Sequence, residues 1–207
     1  MKLRTRTRAA AAAVLTLLGA GCTGQDDAAH KSGSGGRAAS APAAPSAEVD
    51  RYASVRRPWA VAPLAARERC PVTRHRAQPD PRLAGLWGDG PARPAGLGPG
   101  AVLEYMAAAA WKDATWGGAK VLWAVDPAVT GLVLIRGKRL DAPGQVAFED
   151  PPTPELGIDV DRYQGLSGGW KDYPSYTRLR APGCYLYQVD TAQGTSTVVF
   201  TARGPQI

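Results

Sequence analysis

From residue 119 onward the apolar runs are short, and each is closed by proline or glycine. The stretches are "AKVLWAVDP", "GLVLIRGKRLDAPG", "QVAFEDPP", "YTRLRAPG", "CYLYQVDTAQG" and "TSTVVFTARGP". Within them β-branched and aromatic residues alternate with polar ones, so that Val121, Trp123 and Val125 fall on one face. Turn residues at this spacing leave no room for long helices, and they predict antiparallel strands packed as a β-sandwich. The preceding stretch, Cys70 to Gly100, is denser still in breakers ("CPVTRHRAQPDPRLAGLWGDGPARPAGLGPG"). It reads as mostly irregular, pinned by Leu83, Leu86 and Trp87. "AVLEYMAAAAWKDATW" has helical composition and reads as one short helix, with a strand over Ala101–Met106 as the alternative. A long loop is expected from Asp150 to Ser175.

The N-terminus follows a different logic. Lys2, Arg4, Arg6 and Arg8 precede an apolar run, Ala9 to Ala20, that is too short to span a bilayer as a helix. The run ends in Gly19-Ala20-Gly21-Cys22. Charge, apolar length and small residues together read as a cleaved secretory signal over residues 1–21. The ending resembles a bacterial lipobox. That resemblance implies a lipid-bearing cysteine at Cys22 as the new N-terminus, with Gly19 standing where leucine is usual. An ordinary signal peptide that happens to contain a cysteine is the alternative. Residues 22–50 are built from Ala, Ser, Gly and Pro with scattered charges, the composition of a disordered tether. The expected partner is therefore the membrane, reached through lipid on Cys22, and the expected location is extracytoplasmic.

Cysteine count supports this. There are three cysteines in all. If Cys22 carries lipid, Cys70 and Cys184 remain as an even pair in a compartment where disulfides persist. Two buried free thiols are the alternative. The two histidines and two distant cysteines lack the close spacing of a zinc site.

The formal charge is +7, but the signal carries +4 of it, which leaves the mature chain at +3. Residues 51–82 hold eight arginines against Glu68 and Asp80. This block reads either as a solvated segment or as an attraction to anionic headgroups or other anionic envelope polymers. No nucleic-acid motif accompanies it, and no nucleic-acid partner is expected. Beyond the tether, residues 51–207 supply enough chain for one domain with a core.

"PGCYLYQVDTAQGTSTVVFTAR", Pro182 to Arg203, resembles the last hairpin of bacterial immunoglobulin-like domains. "KVLWAVDPAVTGLVLIRGKRLD" is similar to the central strands of exported proteins and lipoproteins built on such sandwiches. The resemblance implies an all-β, immunoglobulin-like antiparallel sandwich with long irregular N-terminal loops and at most one short helix. It implies no catalytic site. The antibody-type tyrosine two residues before the second cysteine is replaced by Pro182. Cys70 is therefore expected to tie the irregular N-terminal segment to the strand that begins at Cys184.

Candidate chemistry is thin. "GLSGG", Gly165 to Gly169, fits the G-x-S-x-G pattern. However, no apolar strand precedes it, Pro174 blocks a following helix, and no histidine follows Ser167. Glu149, Asp150, Glu155, Asp159 and Asp161 cluster in sequence without the spacing of a calcium loop. Among the six tryptophans, Trp123 reads as core. Trp170, beside Tyr173 in a polar loop that also holds Arg162, is the candidate exposed ligand contact. The expectation is a non-catalytic, lipid-anchored envelope binding or structural module with no metal and no cofactor. The runner-up is a carbohydrate- or ligand-sensing domain using the 150–175 loop.

Overall fold

The computed structural model describes residues 50–76, 83, 85–163 and 169–207. The signal, Cys22, most of the tether and Ser167 lie outside them. Among the described residues there are eleven strands, two three-residue 3-10 turns and no α-helix, and no helix long and apolar enough to cross a membrane. All of them belong to one compact unit, Ala47–Ile207.

The strands form two sheets. In the first are β1 (His75–Arg76), β2 (Leu86–Trp87), β3 (Ala92–Ala95), β5 (Gly117–Val125), β7 (Ala147–Phe148) and β9 (Lys171–Leu179). Their order is β1-β2-β3-β5-β9-β7, antiparallel throughout. In the second are β4 (Val102–Glu104), β6 (Leu132–Arg139), β8 (Glu155–Asp159), β10 (Gly183–Thr191) and β11 (Gly194–Arg203). Their order is β4-β11-β10-β6-β8, antiparallel except where β4 runs parallel to β11.

The two sheets bury one core between them, a sandwich-like arrangement. The alternation of β5 sends Val121, Trp123 and Val125 inward, as the sequence predicts. They meet Tyr185, Tyr187 and Val189 of β10 and Val198, Phe200 and Ala202 of β11. Trp123 lies edge-on to Tyr187 at 5.1 Å, and Tyr187 stacks on Phe200 at 4.3 Å. Such aromatic contacts join the sheets beyond what burial alone supplies.

Two expectations are corrected, and a third is refined. Most described residues of Cys70–Gly100 are irregular, as expected, but the segment also holds the short strands β1, β2 and β3. Pro94 sits inside β3 because β2 pairs with β3 only at Ala95, so the missing N–H interrupts no ladder. The helix expected over Ala101–Trp116 is a strand, β4, followed by a bridge from Met106 to Gly118 and a 3-10 turn at Ala108–Ala110. Three of the four consecutive alanines are exposed and have no face to pack, so they yield only the single 3-10 turn, while the residues before them pair with β11 and β5. The loop expected from Asp150 to Ser175 contains β8 and the first half of β9. Pro174 lies in β9 for the same reason as Pro94, because the short neighbour β7 pairs only at Thr177 and Arg178.

Candidate functional site

The outward residues of β10 are Cys184, Leu186, Gln188 and Asp190, and each is at most 3% exposed. An outer sheet face should meet water. This one is covered by the chain from Asp50 to Arg74, which crosses the second sheet from its β8 edge to β11 and then enters β1.

The crossing segment, or strap, is attached along its length. At its start the Tyr52 ring occupies the space a Cβ on Gly157 would fill, so β8 needs glycine there. Arg51 pairs with Asp159 at 2.6 Å, and Arg56 pairs with Asp50 at 2.7 Å and with Glu155. The hydrogen bonds from Arg56 hold the Asp50 carboxyl below its ordinary range. Further along, the Gln188 amide donates to Pro58 O at 2.9 Å and accepts from Ala60 N at 2.8 Å. Lys138 Nζ donates to Val61 O at 2.7 Å, and Leu64 N donates to Leu140 O at 2.8 Å. Cys70 is disulfide-bonded to Cys184 with Cα atoms 5.5 Å apart. Thr73 and Val199 exchange two hydrogen bonds of 2.9 Å.

Beneath the strap lies a buried polar network. Asp190 accepts from Arg136 at 2.5 Å, from Gln188 at 3.0 Å and from Thr195 Oγ1 at 2.7 Å, and Arg136 also donates to Arg57 O. A carboxylate with no exposure is tolerable only when it is paired and hydrogen-bonded in this way. Trp59 lies over Arg136 and Lys138 at 4.7 and 4.8 Å, yet remains 41% exposed. The strap's other exposed side chains include Arg57, Arg67, Arg69, Val72 and Arg74.

The expected contact trio does not form one platform. Trp170 is not the exposed loop residue its polar neighbours suggest. It is buried behind β5 with Leu83, Leu86, Ala95 and Ala124, under the Arg93 guanidinium at 5.3 Å. Tyr173 is half-buried against the main core and Tyr163, and burial pushes its phenol up to about 12. Arg162 is exposed and pairs with Asp159 at 3.0 Å. The acidic residues disperse. Asp159 meets Arg51 and Arg162, Asp161 accepts from Gly131 N at 3.0 Å, and Asp150 meets the fully buried Arg178 at 3.1 Å. Among the described residues no group of three or more His, Cys, Asp or Glu side chains is placed to hold a metal ion. His75 is exposed on β1, edge-on to Trp87 at 5.3 Å.

A cavity of about 440 Å³ opens at the far end of β6, lined by Trp116, Arg139, Gln145, Arg180, Tyr185 and Gln206 among others. Arg180 stacks on Trp116 at 4.1 Å, and Arg139 pairs with Asp141 at 2.6 Å. Burial pushes the Asp141 carboxyl up, but hydrogen bonds from Arg139 and from the Cys184 backbone outweigh it and hold the group below its ordinary value. Sequence reasoning missed this cavity and the Arg136–Gln188–Asp190 network. The one available signal was Leu186, an apolar residue on the outward side of β10, two positions after a cysteine.

No protein family and no curated protein matches the chain. Among solved structures it is similar to a candidate lipoprotein from Bacillus anthracis, with 16% identity over 65% of this chain and 87% of that one and a TM-score of 0.42. So distant a likeness assigns neither fold family nor function.

Proposed function

We propose that this chain is an exported lipoprotein, anchored by lipid on Cys22, whose folded part is a non-catalytic immunoglobulin-like module with a binding or structural role at the cell envelope. The observation that carries the reading is the strap. The chain arriving from the anchor side is bonded along the second sheet and covalently joined to β10, its central strand. A pull on the tether is thus delivered to the middle of the domain and not to a fraying edge.

The immunoglobulin-like part draws on topology. Within the two sheets, β3-β5-β9-β7 and β11-β10-β6 follow the A-B-E-D and G-F-C orders of that fold, with β1 and β2 added beyond β3 and with β4 and β8 added at the edges of the second sheet. Tyr185, near the start of β10, donates from its hydroxyl to Ala181 O at 2.7 Å, the bond of a tyrosine corner. The Trp123–Tyr187 pair stands between the two strands that a disulfide joins in antibody domains. One departure remains: β7 precedes β8 in the chain, although the two lie in different sheets.

The test of the anchor is Cys22→Ala followed by fractionation. The variant should leave the membrane for the medium, and unchanged retention would contradict the reading. A second reading, ligand binding, is favoured by the cavity at Trp116 and Arg180 and not by the Trp170 loop. A panel of anionic and neutral glycans should then show binding that Arg180→Ala abolishes. Equal binding by the variant would remove that reading.

A further inference from the structure

We propose that the outer surface of the strap is a membrane-contact face: Arg57, Arg67, Arg69 and Arg74 meet anionic phospholipid headgroups, with Trp59 and Val72 seated at the headgroup boundary. The proposal takes from the lipoprotein reading only that the domain works beside a bilayer.

The arginines of this segment divide into two sets. Arg51 and Arg56 are neutralised by Asp159, Asp50 and Glu155 at the β8 edge, and Arg76 faces Asp89 at 3.2 Å. Arg57, Arg67, Arg69 and Arg74 are exposed and pair with no carboxylate among the described residues. The only acid within the strap beyond Arg57 is Glu68, and its carboxylate is turned back to accept the Ala65 N–H at 2.9 Å. The result is a local excess of exposed positive charge along the strap.

Presentation matters as much as count. A solvated arginine loop would have to give up conformational freedom to meet a surface. Here the strap is held by the Gln188, Lys138 and Leu140 hydrogen bonds and by the Cys70–Cys184 bond, so that freedom is already gone. Of the four large apolar side chains that are exposed among the described residues, two, Trp59 and Val72, lie on this strap. An exposed indole flanked by cations is the side chain that membrane–water interfaces favour.

Distance is permissive. A random coil of as many residues as lie between Cys22 and Asp50 would span about 30 Å end to end. That reach would let a chain anchored at Cys22 bring the strap to the headgroups, where the negative surface potential acts over about a Debye length. Each basic group close to such a surface strengthens partitioning about fivefold, so four act together over roughly two to three orders of magnitude.

The experiment uses the mature chain from residue 22 with Cys22→Ser, disulfide intact, so that no acyl chain contributes. It is sedimented with phosphatidylcholine vesicles with and without phosphatidylglycerol, at about 0.1 M and about 1 M salt. The expected result is binding to the anionic vesicles alone, lost at high salt. Arg57→Gln/Arg67→Gln/Arg69→Gln/Arg74→Gln should weaken it about a hundredfold with unchanged melting temperature, and Trp59→Ala severalfold while the protein stays folded at the assay temperature. Equal binding to neutral vesicles would overturn the proposal. So would no binding to either, binding that the fourfold variant retains, or binding to soluble polyphosphate in place of vesicles. Because the assay chain carries no lipid, a negative result leaves the Cys22 anchor standing, and loss of the anchor reading leaves a positive result standing.

Discussion

Asp190 is a carboxylate with no exposure, and the side chains that satisfy it come from β6, β10 and β11. Removing one member of such a pair leaves the other charge buried and uncompensated. Asp190→Ala is therefore expected to lose about 3–5 kcal/mol in urea unfolding. Asp190→Leu combined with Arg136→Met should lose far less, since an apolar pair of similar volume leaves no orphaned charge. Asp141 supplies a pH signature. Its folded pKa lies below the ordinary aspartate value, so its ion pair stabilises the fold above that value. The contribution disappears as pH falls through the folded pKa. Stabilities of the wild type and Asp141→Asn should thus differ most above the ordinary aspartate range and converge in acid, once the pH lies below the lowered folded pKa. At this scale Trp123, Cys70 and Cys184 were legible, because alternation marks an inward residue and cysteine parity marks a pair. Trp170 was not. Its sequence neighbours are polar, and the residues that bury it, Leu83, Leu86 and Ala95, come from a segment more than seventy positions earlier.

The long strands β5, β6, β10 and β11 could be read directly, since each carries several apolar, largely β-branched or aromatic residues between turn residues. The short ones could not. β2 and β7 span two residues each, too few to show any period, and β3 and β9 contain prolines that argue against a strand until the short neighbour is known. β8 hides behind Gly157, a residue that looks like a loop marker and is required by the Tyr52 ring. The strap is the element with the most consequence, because it has no regular structure and its stability is borrowed from the sheet. Cutting its covalent attachment should expose that dependence. Cys184→Ser is expected to cost about 2–5 kcal/mol. Limited trypsin digestion should then cleave first at Arg67 or Arg69, while the intact disulfide protects the strap. Equal cleavage rates in both proteins would mean that the strap's hydrogen bonds hold it without the bridge.

Taken together, the described residues form a two-sheet, sandwich-like unit whose second sheet is closed on the outside by the strap. The uneven charge follows the same division. The basic block sits in the strap, and residues 101–207 are nearly neutral, with ten basic and eleven acidic groups. In the proposed reading the strap also gives a lipid on Cys22 a mechanical route into β10, and that reading requires a chain that begins at a lipid. The most direct measurement is the intact mass of the protein extracted from membranes without reduction. The predicted species starts at Cys22, carries a thioether-linked diacylglyceryl group with its acyl chains, and is two hydrogens lighter than the fully reduced chain because of the Cys70–Cys184 bond. A membrane-extracted chain that retains residues 1–21, or one cut elsewhere with an unmodified Cys22, would contradict it.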